Sequence, residues 1–467
     1  MINPPSRIPL SPSDYLVFSH HHLMRRNLQG EYLALMMLDV EGHVEPDRVR
    51  NALTAAMTAH PTTLADICIP LLHGKPCWRI PARLDEAAGR AAGRAHTVDD
   101  LRDRADWAER LELLINERLA HRWSLTAGPP IRLDQYALPD GRTRFCLRWP
   151  HCLMDAEGAQ LFLREIGRFD GHAAGCNGRT EDIPPDLLHD HQTIDVLRGR
   201  SLRERVRLLR RALAAERVGD RMSIRSLQPR LHPPTSAHGL LHRCWLPEKV
   251  QRVRANAQAD VPAGPALYTR YFAVCAIRAL HRIYREHGVD TDAYVLTLPI
   301  RVTMPGAVSG EVFARPVCGN YLVAPILYGR RSQADDKHAL GEELLLQFET
   351  FTKNRSDLSF WAMMWAASHL RVSTYQLLFD LRAGFVPLAS GFSCYGEIER
   401  PVRSFAGAAV TNLWGAGLIA TPPGWNLVFS RFQDRLNVSL TYNLPTVSAD
   451  LARRYLDYIE AEVFARE

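Results

Sequence analysis

The alternation of hydrophobic and polar positions predicts a chain that mixes strands with helices. The apolar run at residues 32–40 has the character of a strand. Pro46 then opens a helix, because proline is well tolerated in a first turn whose N–H groups have no partner. The apolar residues of this helix recur at helical spacing and are Val49, Leu53, Ala56 and Met57. A second unit of this kind starts with the alternating segment 143–149 and continues into a helix that carries Leu161, Phe162, Ile166 and Phe169.

A junction between two domains is predicted before the middle of the chain. Residues 171–185 are polar and rich in glycine, and residues 198–230 form an arginine-rich amphipathic helical pattern. The apolar face of that pattern consists of Leu202, Val206, Leu209, Leu213 and Val218. We therefore expect an N-terminal lobe at residues 1–185, a basic helical linker at 186–236 and a C-terminal lobe at 237–467.

The second half continues the mixture of strands and helices. Its predicted helices lie at residues 266–284, 339–352 and 358–370, with a last helix after the capping residue Ser448. Its predicted strands lie at residues 240–246, 294–300, 319–326, 410–415, 425–431 and 436–442. Together these patterns predict an α/β (α+β) fold.

Composition narrows the class of protein. A chain of 467 residues with 46% hydrophobic residues can bury the cores of two or more domains. No apolar run approaches the ~20 residues of a membrane-spanning helix, and the N-terminus lacks the pattern of a secretory signal. We therefore expect a cytoplasmic protein without a transmembrane segment. Nine cysteines without a C-x-x-C pair indicate neither a disulfide framework nor a zinc site.

The formal net charge is +6, and almost all of the positively charged residues are arginines. A mildly basic surface suits an anionic partner such as coenzyme A or an acidic carrier protein, although many proteins of this charge bind neither. The arginine-rich segment 198–230 could dock an acidic carrier protein, but a solvated helix face is the favoured interpretation.

The strongest candidate chemistry lies at residues 150–155 (PHCLMD). His151 ends the predicted strand, and Asp155 follows four positions later at the start of the next helix. Imidazole has a pKa near 6.5 and accepts a proton at neutral pH. An aspartate at that position can hold the turn by neutralising an arginine and binding backbone N–H groups. The alternative is a structural histidine beside a helix-capping aspartate.

Several further segments carry a resemblance to a known family. They are residues 9–14 (PLSPSD), the helix at 44–61 that ends in His60 and Pro61, residues 298–301 (LPIR) and residues 318–321 (CGNY). With the HxxxD pattern, they make the chain resemble the superfamily of CoA-dependent acyltransferases. This superfamily includes chloramphenicol acetyltransferase, the condensation domains of nonribosomal peptide synthesis, polyketide-associated and wax ester acyltransferases, and the plant BAHD enzymes.

The resemblance implies two chloramphenicol acetyltransferase-like lobes, each a β-sheet flanked by helices, arranged as a V around a central tunnel. It implies that His151 is a general base and that Asp155 supports it by pairing with an arginine of the second half, for which Arg301 is the candidate. The substrate-binding candidates in the corresponding segments are Gly158, Asn320, Ser393, Asn412 and Trp414.

The resemblance also implies the reactants. The acyl donor would be acyl-CoA or a phosphopantetheinyl thioester on an acyl or peptidyl carrier protein, and the acceptor a small molecule with a hydroxyl or amine. We expect no bound cofactor, no metal and no nucleic acid. We expect the protein to be a monomer. The expected setting is the biosynthesis of natural products or lipids.

Two departures shape the prediction. The condensation-domain pattern HHxxxDG has a histidine where this chain has Pro150 and a glycine where it has Ala156, and the BAHD marker DFGWG is absent. These differences favour the broader acyltransferases over a peptide-forming condensation domain. They also leave a second hypothesis, a catalytically silent condensation-like module that binds carrier-bound intermediates.

Other reactive residues have simpler interpretations. His20, His21 and His22 suggest a metal site, but neighbours on one element point in different directions, so a polar start to the first helix is the favoured interpretation. Cys152 is best interpreted as a small core residue. Ser393 lacks the G-x-S-x-G turn of a hydrolase nucleophile.

Overall fold

The computed structural model describes residues 7–69, 75–121, 123–125, 130–173, 196–197, 199–216, 219–228, 233–302, 318–383, 387–397 and 402–465. In these residues the helices are α1 (Pro12–Arg26), α2 (Pro46–Ala59), α3 (Leu84–Ala95), α4 (Trp107–Ala120), α5 (Ala156–Ala173), α6 (Leu202–Glu216), α7 (Pro247–Asp260), α8 (Leu267–Glu286), α9 (Lys337–Lys353), α10 (Ser356–Ala367), α11 (Val372–Ala383) and α12 (Ala449–Phe464).

The strands are β1 (Arg7–Pro9), β2 (Leu33–Glu41), β3 (Asp66–Cys68), β4 (Cys77–Arg79), β5 (His96–Asp100), β6 (Arg132–Ala137), β7 (Arg142–Pro150), β8 (Ala237–Trp245), β9 (Ala293–Thr297), β10 (Ile300–Arg301), β11 (Leu322–Val323), β12 (Ile326–Arg330), β13 (Ser390–Glu397), β14 (Ser404–Phe405), β15 (Ala408–Gly417), β16 (Trp425–Phe432) and β17 (Arg435–Leu444). Most belong to two six-stranded sheets. The predicted class, an α/β fold with two sheets flanked by helices, is confirmed.

The first sheet has the strand order β14-β15-β2-β7-β6-β5. Strands β2 and β7 are antiparallel, with Leu33 opposite Pro150 at the end of β7. The side chains of β2 alternate between two hydrophobic cores. Ala34 and Met36 join the core that contains residues of α2 and α5, whereas Leu35 joins the core on the side of α4. The end of β7 is thereby held at a fixed place between helices.

The second sheet has the order β12-β9-β13-β16-β17-β8. Its largest core contains residues of α8 and α12, including Tyr271, Ile277, Tyr455 and Ile459. The short hairpin of β10 and β11 lies outside the two large sheets and pairs Arg301 with Leu322. This hairpin carries one of the predicted site residues.

The two sheets are joined by a strand that crosses between them. Strand β15 comes from the second half of the chain, yet it extends the first sheet by pairing with β2 over Ala34 to Val40. Its backbone also binds the second sheet, because Ser439 Oγ donates to the Gly415 carbonyl at 2.6 Å and Asn426 Nδ2 donates to the Gly417 carbonyl at 3.0 Å. The first sheet therefore contains strands from both halves of the chain.

The predictions of helices and strands were right where the periodicity was strong. Helices α2, α8, α9 and α12 and strands β2, β7, β16 and β17 lie where the patterns predicted them, and Ser448 caps α12 by accepting from the Leu451 N–H. The predicted boundary at residue 185 lies outside the described residues.

The arginine-rich helix was predicted less well. Helix α6 covers only Leu202–Glu216 of the segment 198–230, and Val218 lies outside the described residues. Leu202, Val206 and Leu213, expected on its packed face, are exposed, whereas Leu208 and Ala212 are buried. The prediction of the packed face was wrong, because the helix turns Leu208 and Ala212 towards the rest of the protein instead.

Candidate active site

His151 follows β7 directly and is anchored by its backbone on both sides. Its N–H donates to the Tyr32 carbonyl at 3.1 Å, which continues the pairing of β7 with β2. Its carbonyl accepts from Asn320 Nδ2 at 3.0 Å. Ser13 Oγ lies 3.0 Å from Asn320 Oδ1 and so helps to fix that amide. Residues from three separate parts of the chain therefore hold the peptide unit of one histidine.

The imidazole of His151 lies in a row of aromatic rings. It stacks on the ring of Tyr32 with a centroid distance of 5.7 Å and an angle of 21°. Tyr32 also contacts His20 at 6.0 Å between centroids. The Tyr32 N–H donates to Nδ1 of His21 at 3.3 Å, and burial raises the pKa of the Tyr32 hydroxyl to about 12. Tyr32 therefore helps to orient the His151 ring by stacking on it, and its own hydroxyl stays protonated.

Burial lowers the pKa of His151, while backbone groups of His151 and Met154 and the carboxylate of Asp155 act in the opposite direction. The net shift is downward, so the imidazole is neutral at pH 7 and can accept a proton. Its Nδ1 atom is buried, which leaves Nε2 as the nitrogen available to a substrate. His151 as a residue is nevertheless only partly buried.

Asp155 is almost fully buried and binds four groups. It accepts from Arg301 Nε at 2.8 Å and from Arg301 Nη2 at 3.0 Å. It also accepts the N–H of Gly158 at 2.9 Å, in the first turn of α5, and the N–H of Tyr321 at 3.2 Å. Arg301 Nη1 lies 2.6 Å from the carboxylate of Glu157. The charge of Asp155 is thus used to fix the turn, and its carboxylate is not presented to a substrate.

Gly158 allows α5 to approach the second half of the chain. A Cβ at this position would lie 3.0 Å from the Met154 Cβ and 3.1 Å from the backbone N and O of Gly319. The Gly319 carbonyl in turn accepts the N–H of Asp155 at 3.1 Å. Gly158, predicted to bind substrate, is thus placed where backbone packs against backbone.

Ser393 and its neighbour Tyr395 lie on β13 and reach the same region from the second sheet. Burial raises the pKa of Tyr395, and the charges of Asp155 and Tyr32 contribute, while a hydrogen bond with Ser393 opposes the shift. The Tyr395 ring lies against β15, because a Cβ on Gly415 would come within 2.9 Å of it. The Tyr395 hydroxyl stays protonated at neutral pH and can donate a hydrogen bond in the region of Tyr32 and Asp155.

Asn412 and Trp414 are placed in a separate cluster. Asn412 and Asn437 exchange two amide hydrogen bonds, each of 3.0 Å, between β15 and β17. Trp414 stacks on His242 at 3.7 Å and 4°, and His242 Nε2 lies 3.0 Å from Asn437 Oδ1. Trp414 pairs with Met37, four residues along β2 from the strand end beside His151, or roughly 13 Å. These two candidates are not brought to His151.

Two further interpretations can be compared with the structure. His20, His21 and His22 lie in the middle and second half of α1, so the expected position at the start of a helix was wrong. Cys152 is buried in the first core, and burial raises the pKa of its thiol well above the usual value. That thiol is therefore protonated and packed, as predicted for a core residue.

Sequence reasoning missed Ser13, Tyr32 and Tyr395. Tyr32 had a usable signal, because it begins the predicted strand 32–40 and a pairing with the strand 143–149 would have placed it beside His151. Ser13 lies in the segment 9–14 and Tyr395 lies two residues after the candidate Ser393, so the resemblance pointed to both regions. Their contacts were not predicted, because they join distant parts of the chain.

Comparisons with known proteins identify the fold. No family model matches the chain, and no curated protein matches it by sequence. Among solved structures, a trichothecene 15-O-acetyltransferase from Fusarium sporotrichioides is similar with a TM-score of 0.72 and 12% identity, covering 98% of this chain and 95% of that one. The first condensation domain of the CDA synthetase is similar with a TM-score of 0.65 and 13% identity, over 98% and 95% of the two chains.

A third similar structure is a variant of the starter condensation domain of rhizomide synthetase, in complex with C8-CoA and Leu-SNAC. Its TM-score is 0.64 at 15% identity, with 98% of this chain and 94% of that chain covered. Identities of this size establish the fold alone. The chain therefore has the two-lobed fold shared by chloramphenicol acetyltransferase-like enzymes and condensation domains.

Proposed function

We propose that the chain is an acyltransferase that moves an acyl group from a thioester to a hydroxyl or amine, with His151 as the general base. The observation that carries this proposal is a neutral imidazole held at both its backbone N–H and its carbonyl, with its supporting carboxylate bound elsewhere. Such a ring can accept a proton from the substrate itself, because the Asp155 carboxylate is bound to Arg301 and does not take part in the proton transfer.

The reaction can be written with the residues present. Nε2 of His151 takes the proton from the acceptor hydroxyl or amine as its oxygen or nitrogen attacks the thioester carbonyl carbon. The resulting tetrahedral intermediate collapses, the C–S bond breaks, and the imidazolium returns the proton to the departing thiolate. The products are an ester or amide and a free thiol, and His151 is again neutral.

Asp155 and Arg301 act on this reaction through geometry. Their bidentate pair joins the turn after His151 to the β10–β11 hairpin, and Asn320, two residues before β11, binds the His151 carbonyl. The protonated hydroxyls of Tyr32 and Tyr395 are the nearby donors that a developing oxyanion would need. The proposed roles thus divide into one base, one positioning pair and two candidate donors.

The donor is proposed to be acyl-CoA or a carrier-bound phosphopantetheinyl thioester. The complex of the similar rhizomide condensation domain with C8-CoA supports a thioester donor in this fold. The acceptor is proposed to be a small molecule of natural product or lipid biosynthesis, as the similar acetyltransferase and condensation domains suggest.

The test is turnover of the variant His151→Ala with a panel of acyl thioesters and acceptors, followed by release of free thiol. We expect at least a hundredfold lower turnover, since general-base catalysis contributes about 10²–10⁴. The matched control is His242→Gln, which changes a different buried histidine and should keep turnover near that of the wild type. Wild-type rates in the His151→Ala variant would overturn the proposal.

A second candidate function rests on Pro150 and Ala156, which replace two residues of the condensation pattern. It is a silent module that binds carrier-bound intermediates without turnover. Saturable binding of an acyl-phosphopantetheine, with no thiol release against any acceptor of the panel, would favour it.

A further inference from the structure

Helix α6 exposes an apolar stripe to solvent. Leu202 is 70% exposed, Val206 39% and Leu213 48%. At 100° per residue these three positions fall within about 40° of one another, so they form one line along the helix. This stripe, Leu202, Val206 and Leu213, spans eleven residues or roughly 16 Å. Large aliphatic side chains so exposed and so aligned indicate an interaction surface.

Four exposed arginines lie to one side of the stripe. Arg203, Arg207, Arg210 and Arg211 are exposed, and within the described part of the chain none of them forms a salt bridge. Their positions on the helix lie between about 60° and 160° from the centre of the stripe. Arg203 and Arg210, about 80° and 60° from that centre, are exposed cations beside the stripe, and an aliphatic line with cations beside it suits a partner that is both anionic and apolar.

The stripe is rigidly presented. Leu208 and Ala212 are buried on the opposite side, and the guanidinium of Arg205 lies 5.1 Å from the ring of Trp365 on α10. At the N-terminus, Ser201 and Glu204 form a reciprocal cap, with the Ser201 N–H donating to Glu204 at 2.9 Å. The helix therefore does not need to fold or rotate to display its outer face.

We propose that α6 binds the surface of an anionic lipid bilayer and so anchors the protein peripherally. The stripe is a convex ridge on the outside of a helix. A protein partner would need a matching groove, whereas the interfacial region of a bilayer deforms around such a ridge. Arg203 and Arg210, the arginines beside the stripe, then meet lipid phosphates, each contributing about 1 kcal/mol. This inference is independent of the proposed acyl transfer, since it concerns a surface and no reacting group.

The test is sedimentation of the purified full chain with phosphatidylcholine vesicles that contain either none or about a third phosphatidylglycerol. We expect partition to the anionic vesicles only, and weaker partition as salt is raised, because the Debye length falls to roughly 3 Å at 1 M. The triple variant L202S/V206S/L213S should lower the partition coefficient by about tenfold or more. Arg210→Gln should lower it about fivefold, which is the equivalent of one lost cation–phosphate contact.

The matched control is Leu346→Ser, which removes an equally exposed leucine, 64% accessible, from α9. It should bind vesicles like the wild type. Circular dichroism of each variant checks that α6 remains folded. Three results would overturn the inference: no partition to anionic vesicles, partition that the α6 variants do not change, or an α6-dependent complex with an acidic carrier protein in the absence of vesicle binding.

Discussion

Two junctions join the halves of the chain, and they are built from opposite chemistry. The Asp155 junction consists of Asp155, Arg301 and Asn320, and it is ionic. The Asn412 junction consists of Asn412, Asn437, His242 and Trp414, and it joins β15 to the second sheet with neutral amides and a ring stack. Both are largely buried, yet only the first contacts His151.

The difference shows where a buried charge is useful. Burying a carboxylate and a guanidinium costs several kcal/mol each, which the pair recovers only with good geometry and additional hydrogen bonds. Asp155 has those bonds, because two backbone N–H groups bind it besides Arg301. A neutral amide pair joins two strands at lower cost. The ionic junction is therefore found where a turn must be held in one geometry.

The largest effect is expected from breaking the ionic junction. Asp155→Asn removes the bidentate carboxylate partner of the buried Arg301, so the free energy of unfolding should fall by about 3–5 kcal/mol in urea titrations. Turnover should fall at least tenfold. Because the Asp155 charge raises the pKa of His151, the residual activity should show a lower kinetic pKa, which a purely structural role would not produce. Glu157→Gln is the control and should cost less than about 1 kcal/mol.

The next effect tests the neutral junction through pH. Burial lowers the pKa of His242 to about 4, so the unfolded chain, with a histidine pKa near 6.5, binds more protons between these values. Stability should therefore fall as the pH falls from 6.5 towards 4 and be unaffected by this group above 6.5. His242→Gln should remove up to about 1.4 kcal/mol per pH unit of that slope. An unchanged slope in urea midpoints would contradict the neutral stacking of His242 on Trp414.

A smaller effect is expected from Asn437→Ala, which leaves the Asn412 amide and His242 Nε2 without their partner. The cost should be about 1–3 kcal/mol, the penalty of unsatisfied buried polar groups. Turnover at permissive temperature should stay near that of the wild type, in contrast to Asp155→Asn. The double variant N412A/N437A should cost less than the sum of the single variants, since the two amides bind each other. Strict additivity would show that the pair is not coupled.

The smallest effect concerns the backbone contact beside the ionic junction. Gly158→Ala should destabilise by about 1–2 kcal/mol, because a Cβ would press on Met154 and on the Gly319 backbone. The control is Gly93→Ala in α3, where nothing lies within 4 Å. That change should stabilise by about 0.5–1 kcal/mol, as alanine is the better helix former. Thermal unfolding of both variants should therefore move in opposite directions.

The sequence predicted what depends on local pattern and missed what depends on distant contacts. Strands β2 and β7 and helix α12 followed from periodicity and a capping serine. The turn that carries His151 was placed correctly for the same reason. The positions of the leucines did not predict which face of α6 is buried, because burial depends on the part of the protein against which the helix packs.

The candidate site divides in the same way. The HxxxD pattern located His151 and Asp155, and the family resemblance pointed to Arg301. The family resemblance did not predict that Trp414 stacks on His242, since that contact depends on β15, a strand from the second half of the chain, joining the first sheet beside β2. Tyr395 reaches the site for a similar reason, from a strand of the second sheet.

The crossing strand also bears on how the protein is made. Thr411 Oγ1 donates to the Asp39 carbonyl across a separation of 372 residues. At ribosomal rates of about 5–20 residues per second, β2 leaves the ribosome roughly twenty seconds to more than a minute before its neighbour β15. During that interval β2, buried along almost its whole length in the finished protein, has an unpaired edge open to wrong partners. We therefore expect the yield of folded protein to depend on how well chaperones protect this unpaired edge of β2 during synthesis.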